Sequence, residues 1–127
     1  MEKVVRLELP WPPSVNNYYR HVGSKVVISA AGRKYRQEVV AILAANGIET
    51  FQGDIELVID AYPPDNRRRD MDNLEKCLWD SLTAGGLVTD DYHIRRHTTE
   101  RREPMPGLGG LVYLEAKIYK PKEKKNE

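Results

Sequence analysis

The sequence has few of the features that mark secreted, disulfide-bonded or membrane proteins. Its single cysteine, Cys77, excludes an internal disulfide framework and favours a reducing compartment. No stretch approaches the roughly 18 consecutive apolar residues of a membrane span. The first ten residues carry charges where a signal peptide needs an apolar run. We therefore expect a soluble, cytoplasmic protein that does not associate with membranes.

Net charge is also small, because 20 basic and 19 acidic residues leave a formal charge of +1. This sum neither favours nor excludes nucleic acid, since the distribution of charge matters more than its total. The basic residues are clustered, and any one cluster taken alone is typical of a solvated face. The clusters lie at residues 33–36, 67–69, 95–102 and 117–125.

Apolar residues alternate with polar ones in several short segments, which is typical of half-buried strands. Alternation or a short apolar run predicts strands at residues 5–9, 26–28, 55–61 and 112–118, with an irregular strand at 92–98. Helical spacing predicts one helix from an N-cap at Ser29 to about Ala45, and a second from about Asn73 to Ala84. Residues 14–20, which follow a proline-rich turn, are predicted to form an irregular loop.

These elements predict one α+β domain, with a small mixed β-sheet and two main helices on one face. At 127 residues the chain is long enough for one compact core and shows no sign of a second. We expect the domain to occupy residues 1–119. Residues 120–127 form a basic tail that is too polar to pack and is predicted to be disordered.

The segment from residue 65 to residue 76, DNRRRDMDNLEK, is the most informative in the chain. If its backbone is extended, Asp70 and Asp72 point to the same side, because side chains in a strand repeat every two residues. Two such carboxylates repel each other, and a hard cation such as Mg²⁺ relieves that repulsion. Arg67, Arg68 and Arg69 would attract a phosphate backbone to the same place. The combination favours a metal-dependent phosphodiesterase.

Structural alternatives remain open for several of these residues. Asp72 with Glu75 matches a capping box before an apolar helix, whereas Asp70 has no comparable structural role. Lys76 lies one turn after Asp72, so it could form an ordinary ion pair or could stabilise charge developing on a phosphate. Asp80, a further turn along, is interpreted as a solvated partner of Lys76.

Asp90 and Asp91 follow a Gly-Gly turn, where aspartate is common for structural reasons. The helix ending at Ala84 is short and amphipathic, so the chain could return Asp91 towards Asp70. Three convergent carboxylates would make a credible Mg²⁺ site.

Three separated motifs together resemble the RusA family of Holliday junction resolvases. They are LPWPPSVNNYYRH near the start, RRRDMDNLEKCLWDSL, and GGLVTDD, and the resemblance covers roughly residues 7–95. A lone D-x-D would be unspecific, but P-P-S-x-N with D-x-D-N-x-x-K and a later D-D is distinctive. The segment from residue 93 to residue 102 resembles the family least.

The resemblance implies that Asp70, Asp72 and Asp91 bind metal and are catalytic, and that Lys76 is important for activity. It also implies a bacterial or prophage-encoded homodimer that nicks opposing strands of a four-way junction symmetrically. The expected cofactor is Mg²⁺, with Mn²⁺ able to substitute, and no nucleotide cofactor is expected. Besides the arginines at 67–69, Arg95 and Arg96 are candidate DNA contacts.

Two other functions are compatible with parts of the same pattern. A non-catalytic junction-binding protein would need the arginines but not three intact aspartates. A glycosyltransferase could use the D-x-D, but the chain looks too short for one and has no glycine-rich phosphate loop. The aromatic residues Trp11, Tyr18 and Tyr19 could stack on unpaired bases or could simply pack beneath the proline loop.

Overall fold

The computed structural model describes residues 2–122 and shows a four-stranded sheet, a separate two-stranded hairpin and three helices. The predicted α+β class is therefore confirmed. In chain order the main elements are β1 (Val4–Leu9), α1 (Val15–Tyr18), β2 (Tyr19–Val22), β3 (Lys25–Ile28), α2 (Ala30–Ala45), β4 (Ile55–Tyr62), α3 (Met71–Ala84), β5 (Ile94–Arg101) and β6 (Leu111–Ile118). Short 3₁₀ turns occupy Asp91–His93 and Pro106–Leu108.

The large sheet is mixed and has the strand order β1-β6-β4-β5. Strand β6 runs antiparallel to both of its neighbours, while β4 and β5 are parallel and are joined through α3. The chain therefore leaves β4 at one end of the sheet and begins β5 at the other. Candidate site residues that follow β4 and those that precede β5 are separated by this connection.

One face of the sheet forms the core, as the alternation in the sequence predicts. Leu57, Ile59 and Leu114 are fully buried there, together with Leu43 from α2 and Leu78 from α3. The opposite face carries charged side chains, many of which form ion pairs across the strands. Two helices over one apolar face match the predicted architecture.

Helix α2 begins as predicted, because Ser29 acts as its N-cap. The Ser29 Oγ accepts a hydrogen bond from the Gly32 amide at 3.0 Å, and it also bonds the carbonyls of Asn17 and Tyr18. Gly32 must remain glycine, because a Cβ there would lie 2.3 Å from the Tyr18 carbonyl oxygen. This close contact fixes α1 against the start of α2.

The prediction of an irregular loop at residues 14–20 is wrong. Ser14 caps the single helical turn α1, accepting a hydrogen bond from the Asn17 amide at 3.3 Å, and Tyr19 begins strand β2. Strand β2 pairs with β3 in an antiparallel hairpin. Cross-strand hydrogen bonds hold this strand, and because its side chains are mostly exposed it has no apolar pattern that would predict it.

The described residues contain no helix that is long and apolar enough to cross a membrane. Most of the predicted tail, residues 123–127, lies outside the described residues, so the domain boundary at residue 119 stays a prediction.

Candidate functional site

The candidate site begins where α3 begins, two residues earlier than predicted. Asp70 is the N-cap residue of α3, with extended backbone angles (φ −89°, ψ 128°), and its side chain makes no capping hydrogen bond. Asp72 lies inside the first turn, so the two residues do not alternate on a strand. Both side chains are exposed. The carboxylate of Asp70 is therefore available to bind something other than the helix.

The capping-box alternative for Asp72 is wrong. Asp72 is not the cap residue, and its Oδ1 accepts only from the amide of its neighbour Asn73, at 3.1 Å. Glu75 points instead to β5, where Thr99 Oγ1 donates to its Oε2 at 2.7 Å and His97 Nδ1 lies 2.9 Å away. Glu75 therefore anchors α3 to the sheet, and the Asp72 side chain makes no capping contact.

Lys76 and Asp80 do not pair with each other as expected. The Lys76 Nζ lies over the ring of Tyr19, 5.3 Å from its centroid. Asp80 is bound by Arg36, whose Nε and Nη2 donate at 3.1 and 2.9 Å, and by the hydroxyl of the fully buried Tyr18. Lys76 forms no ion pair with an acidic residue within residues 2–122, which leaves its charge available for an anion.

Asp91 occupies the first position of the 3₁₀ turn before β5. Its neighbour Asp90 performs the structural role expected of aspartate in a turn, because Asp90 Oδ1 accepts from the Tyr92 amide at 2.8 Å. Partial burial, followed by the adjacent carboxylates of Asp90 and Asp80, raises the pKa of Asp91 above its usual value. Asp91 therefore carries its negative charge against local repulsion, which a cation would relieve.

One chain does not assemble these carboxylates into a metal site. In the part of the chain that the structure describes, no group of three or more histidine, cysteine, aspartate or glutamate side chains lies close enough to hold an ion. Asp91 lies within electrostatic range of Asp80, and Asp80 is eight residues along α3 from Asp72, which is about 12 Å of helix. The oxygen donors suit a hard cation, but within a single chain they do not form a complete site.

The three arginines before Asp70 are not equivalent. Asp65 binds two of them: its Oδ1 lies 2.7 Å from Arg69 Nη1 and its Oδ2 lies 3.1 Å from Arg67 Nη2. These contacts, with Arg69 contributing most, hold the pKa of Asp65 well below its usual range. Arg68 is exposed and makes no side-chain ion pair among the described residues. It is therefore the arginine of this group whose charge is free for a phosphate.

Arg95 and Arg96 lie at the beginning of β5, away from the start of α3. Arg95 Nη1 donates to Asp54 at 3.1 Å, and Arg96 Nη1 lies 3.5 Å from Glu56. Both guanidinium groups lie 4.7 Å from the ring centroid of Tyr119. These two arginines have internal partners, and the structure does not place them beside Asp70.

A cleft of about 490 Å³ opens beside Asp70, between the proline loop and the start of α3. Its walls combine apolar surface from Trp11 and neighbouring prolines with polar side chains that include Asn17 and Asn73. The volume falls within the usual range for small-ligand pockets.

Comparison with known proteins identifies the family. The family model for endodeoxyribonuclease RusA matches residues 10–124. The chain belongs to the RusA family. It is 40% identical over 89 residues to a crossover junction endodeoxyribonuclease of Enterobacteria phage 82, covering 69% of this chain and 74% of that protein. Proteins of the same name match with the same coverage in Shigella sonnei (strain Ss046), at 40% identity, and Escherichia coli (strain K12), at 39%.

Membership in the RusA family confirms the resemblance that the three sequence motifs indicated. The match also extends past residue 95, so it includes the basic strand β5, where the motifs gave least guidance. The sequence alone did not reveal the role of Asp65, although its i, i+4 spacing to Arg69 could have suggested an ion pair. It also did not reveal Arg36, which reaches Asp80 from another helix.

Proposed function

We propose that this protein is a Mg²⁺-dependent endodeoxyribonuclease that resolves four-way DNA junctions by paired symmetric nicks, in recombination and repair. The observation that carries the proposal is the RusA family match over residues 10–124, because the named relatives are crossover junction endodeoxyribonucleases. The charged side chains of Asp70 and Lys76 near the start of α3, which are not used in capping or ion pairs among the described residues, support it. A phosphodiesterase needs both acidic groups and a cation beside the phosphate.

Each proposed site residue has a distinct role. Asp70, Asp72 and Asp91 would hold the metal ion through carboxylate oxygens. Lys76, which is exposed and has no acidic partner among the described residues, would stabilise negative charge on the scissile phosphate. Mg²⁺, or Mn²⁺ in its place, supplies an activated water and stabilises the leaving oxygen when it is bound. Since one chain does not gather the three carboxylates, we propose that DNA and a second protomer complete the site.

A homodimer also matches the proposed substrate. A four-way junction has approximate two-fold symmetry, and a C2 dimer presents two sites in matching positions. Sedimentation at micromolar concentration should give about twice the 14.6 kDa chain mass. A monomer that still makes paired cuts would contradict this part of the proposal.

Cleavage of a synthetic four-way junction, with and without Mg²⁺, tests the function directly. The parent should make paired nicks only with the metal, and linear duplex of the same sequence should remain uncut. Asp91→Asn should abolish cleavage but retain binding, because it removes a ligand charge without removing a basic contact. Asp90→Asn is the matched control: it deletes the same charge at the neighbouring residue, and asparagine can still accept the Tyr92 amide.

The competing function is a protein that binds junctions without cutting them. It would bind the same junction with similar affinity and leave it intact at every Mg²⁺ or Mn²⁺ concentration. Binding without cleavage by the parent would therefore replace the proposed function with this one. Loss of binding in step with activity in Asp91→Asn would mean that this residue maintains the fold.

A further inference from the structure

The cleft beside Asp70 has features that cleavage chemistry alone does not use. We propose that it receives one nucleobase of the branched DNA, unstacked from its neighbours and held beside the phosphate that is cut. This inference rests on the proposed function and adds a base-binding site to it. The reasons are an aromatic wall anchored through its backbone, a guanidinium facing that wall, and free amides at the cleft.

Trp11 provides the aromatic wall, and the fold holds it in place. Gly110 packs against the base of the Trp11 side chain, where an added Cβ would approach the Trp11 Cβ to 2.9 Å and Pro64 to 3.0 Å. Prolines precede and follow Trp11 in the chain, so its backbone has little freedom. Trp11 is only partly buried and lines the cleft. An aromatic surface fixed before binding loses little conformational entropy when a base stacks on it.

Arg69 faces the Trp11 ring across the cleft. Its Cζ lies over the ring, 5.9 Å from the centroid, and its Nη1 is held by Asp65 at 2.7 Å. Nucleobases stack on both aromatic rings and guanidinium planes. A base inserted between the two would need a separation of about 7 Å, twice the stacking distance, which is roughly 1 Å more than the present spacing. A small movement of the Arg69 side chain away from the ring would provide that space.

The free amides supply hydrogen bonds for the edge of a base. Asn17 and Asn73 both line the cleft, both are exposed, and their side-chain amides make no hydrogen bond within residues 2–122. A carboxamide presents a donor and an acceptor together, which matches the edge of a nucleobase. Arg68 on the same cleft is free to contact the adjoining phosphate. Apolar walls, amides and a cation together fit a nucleotide better than a purely apolar ligand.

This arrangement provides a physical reason to discriminate junctions from linear duplex. In duplex DNA every base is paired and stacked, so filling the cleft requires breaking both interactions, at a cost of a few kcal/mol. At a branch point whose arms are unstacked, the terminal base pairs lack a stacking neighbour on one side, and this cost falls. The cleft therefore stabilises the complex with branched DNA and adds little to the complex with duplex.

Tryptophan fluorescence can test the proposal, because Trp11 and Trp79 are the two tryptophans in the sequence. Trp79 packs edge-on against His97 on the β5 side and does not line the cleft. In a Trp79→Phe, Asp70→Asn background, which the proposed function expects to bind DNA without cutting it, Trp11 emission reports on the cleft. We expect a four-way junction to quench this emission strongly and a linear duplex at saturating concentration to leave it nearly unchanged. A junction with 2-aminopurine at the branch point should show a matching change in the probe's emission.

Substitutions then measure the contribution of stacking. Trp11→Phe retains an aromatic face, whereas Trp11→Leu removes it and keeps apolar volume. We expect Trp11→Leu to weaken junction binding about 5- to 100-fold, with Trp11→Phe intermediate and duplex binding unchanged within about twofold. Asn73→Ala tests the cleft without touching the ring and should weaken junction binding alone. Circular dichroism of each variant checks the fold, and the 2-aminopurine measurement, made with Trp11 and Asn73 unsubstituted, does not depend on these variants.

The outcomes separate this inference from the proposed function. If the parent binds and cuts junctions but the junction leaves Trp11 and 2-aminopurine emission unchanged, the base site is wrong and the nuclease proposal stands. Equal quenching by duplex and junction would also overturn the base site. If the parent binds no junction at all, both proposals fail together.

Discussion

Two substitutions at Asp72 should differ in stability in a direction that reveals what the residue does. Asp72 lies in the first turn of α3 and is not its cap, so replacing it removes a favourable helix-dipole interaction of about 0.3–1 kcal/mol in either variant. Alanine is a better helix former than asparagine by up to about 0.7 kcal/mol. Asp72→Ala should therefore be as stable as Asp72→Asn or slightly more stable. A capping role would reverse the order, with the alanine variant less stable by about 1 kcal/mol.

The measurement is urea unfolding in EDTA, because a bound metal would stabilise the parent by mass action. Ser29→Ala calibrates the cap effect in the same protein, since Ser29 Oγ does accept from the Gly32 amide, and it should cost about 1–2 kcal/mol. Both Asp72 variants should be inactive on junctions over a range of Mg²⁺ concentrations, since neither supplies a negative charge. An alanine variant clearly less stable than the asparagine variant would refute the structural reasoning. An active Asp72→Asn would remove Asp72 from the metal site.

Three further predictions follow from single contacts. Folding raises the pKa of Asp91, so its charged form destabilises the native state at neutral pH. Asp91→Asn should therefore melt higher than the parent at pH 7 in EDTA, and the gap should close as the pH falls through the raised pKa and be absent below the usual aspartate value of 3.8. Arg68→Ala should reduce the slope of log binding constant against log salt concentration by about 0.9. Arg69→Ala should change this slope and also lower the stability of the fold, because Arg69 forms an ion pair with Asp65. A change in slope without a loss of stability would contradict that role. Tyr18→Phe removes a buried hydroxyl that donates a hydrogen bond to Asp80, and it should lower the free energy of unfolding by about 1–2 kcal/mol in thermal or urea unfolding. An unchanged melting curve would contradict this.

Sequence patterns succeeded where local chemistry decides the structure. The cap at Ser29 and the alternation in β4 each depend on residues close together in the chain, and both were predicted with nearly the right boundaries. The predicted start of α3 was two residues late because Asp72 and Glu75 match the pattern of a capping box. Glu75 instead contacts Thr99, which lies 24 residues later in the chain on another element, so the sequence pattern could not show this contact.

The candidate site was predictable in its residue types but not in its arrangement. The motifs pointed to Asp70, Asp72 and Asp91, and their catalytic assignment stays a prediction. What the sequence could not show is that Asp91 comes within electrostatic range of Asp80 after a parallel β4–β5 connection. The pairing of Asp80 with Arg36 was equally hidden, since it joins residues 44 positions apart on two different helices.

The position of β6 in the sheet has a consequence for how the protein is made. Strands β1 and β4 do not pair with each other, and each pairs with β6, which is synthesised after both of them. During translation β1 is made before its partner, which lies more than 100 residues downstream, and until then only transient contacts cover its apolar face. A nascent chain arrested before residue 111 would lack the strand that joins the two halves of its sheet. Such a chain should be prone to aggregation and degradation, so incomplete copies of a DNA-cutting enzyme are not expected to accumulate in folded form.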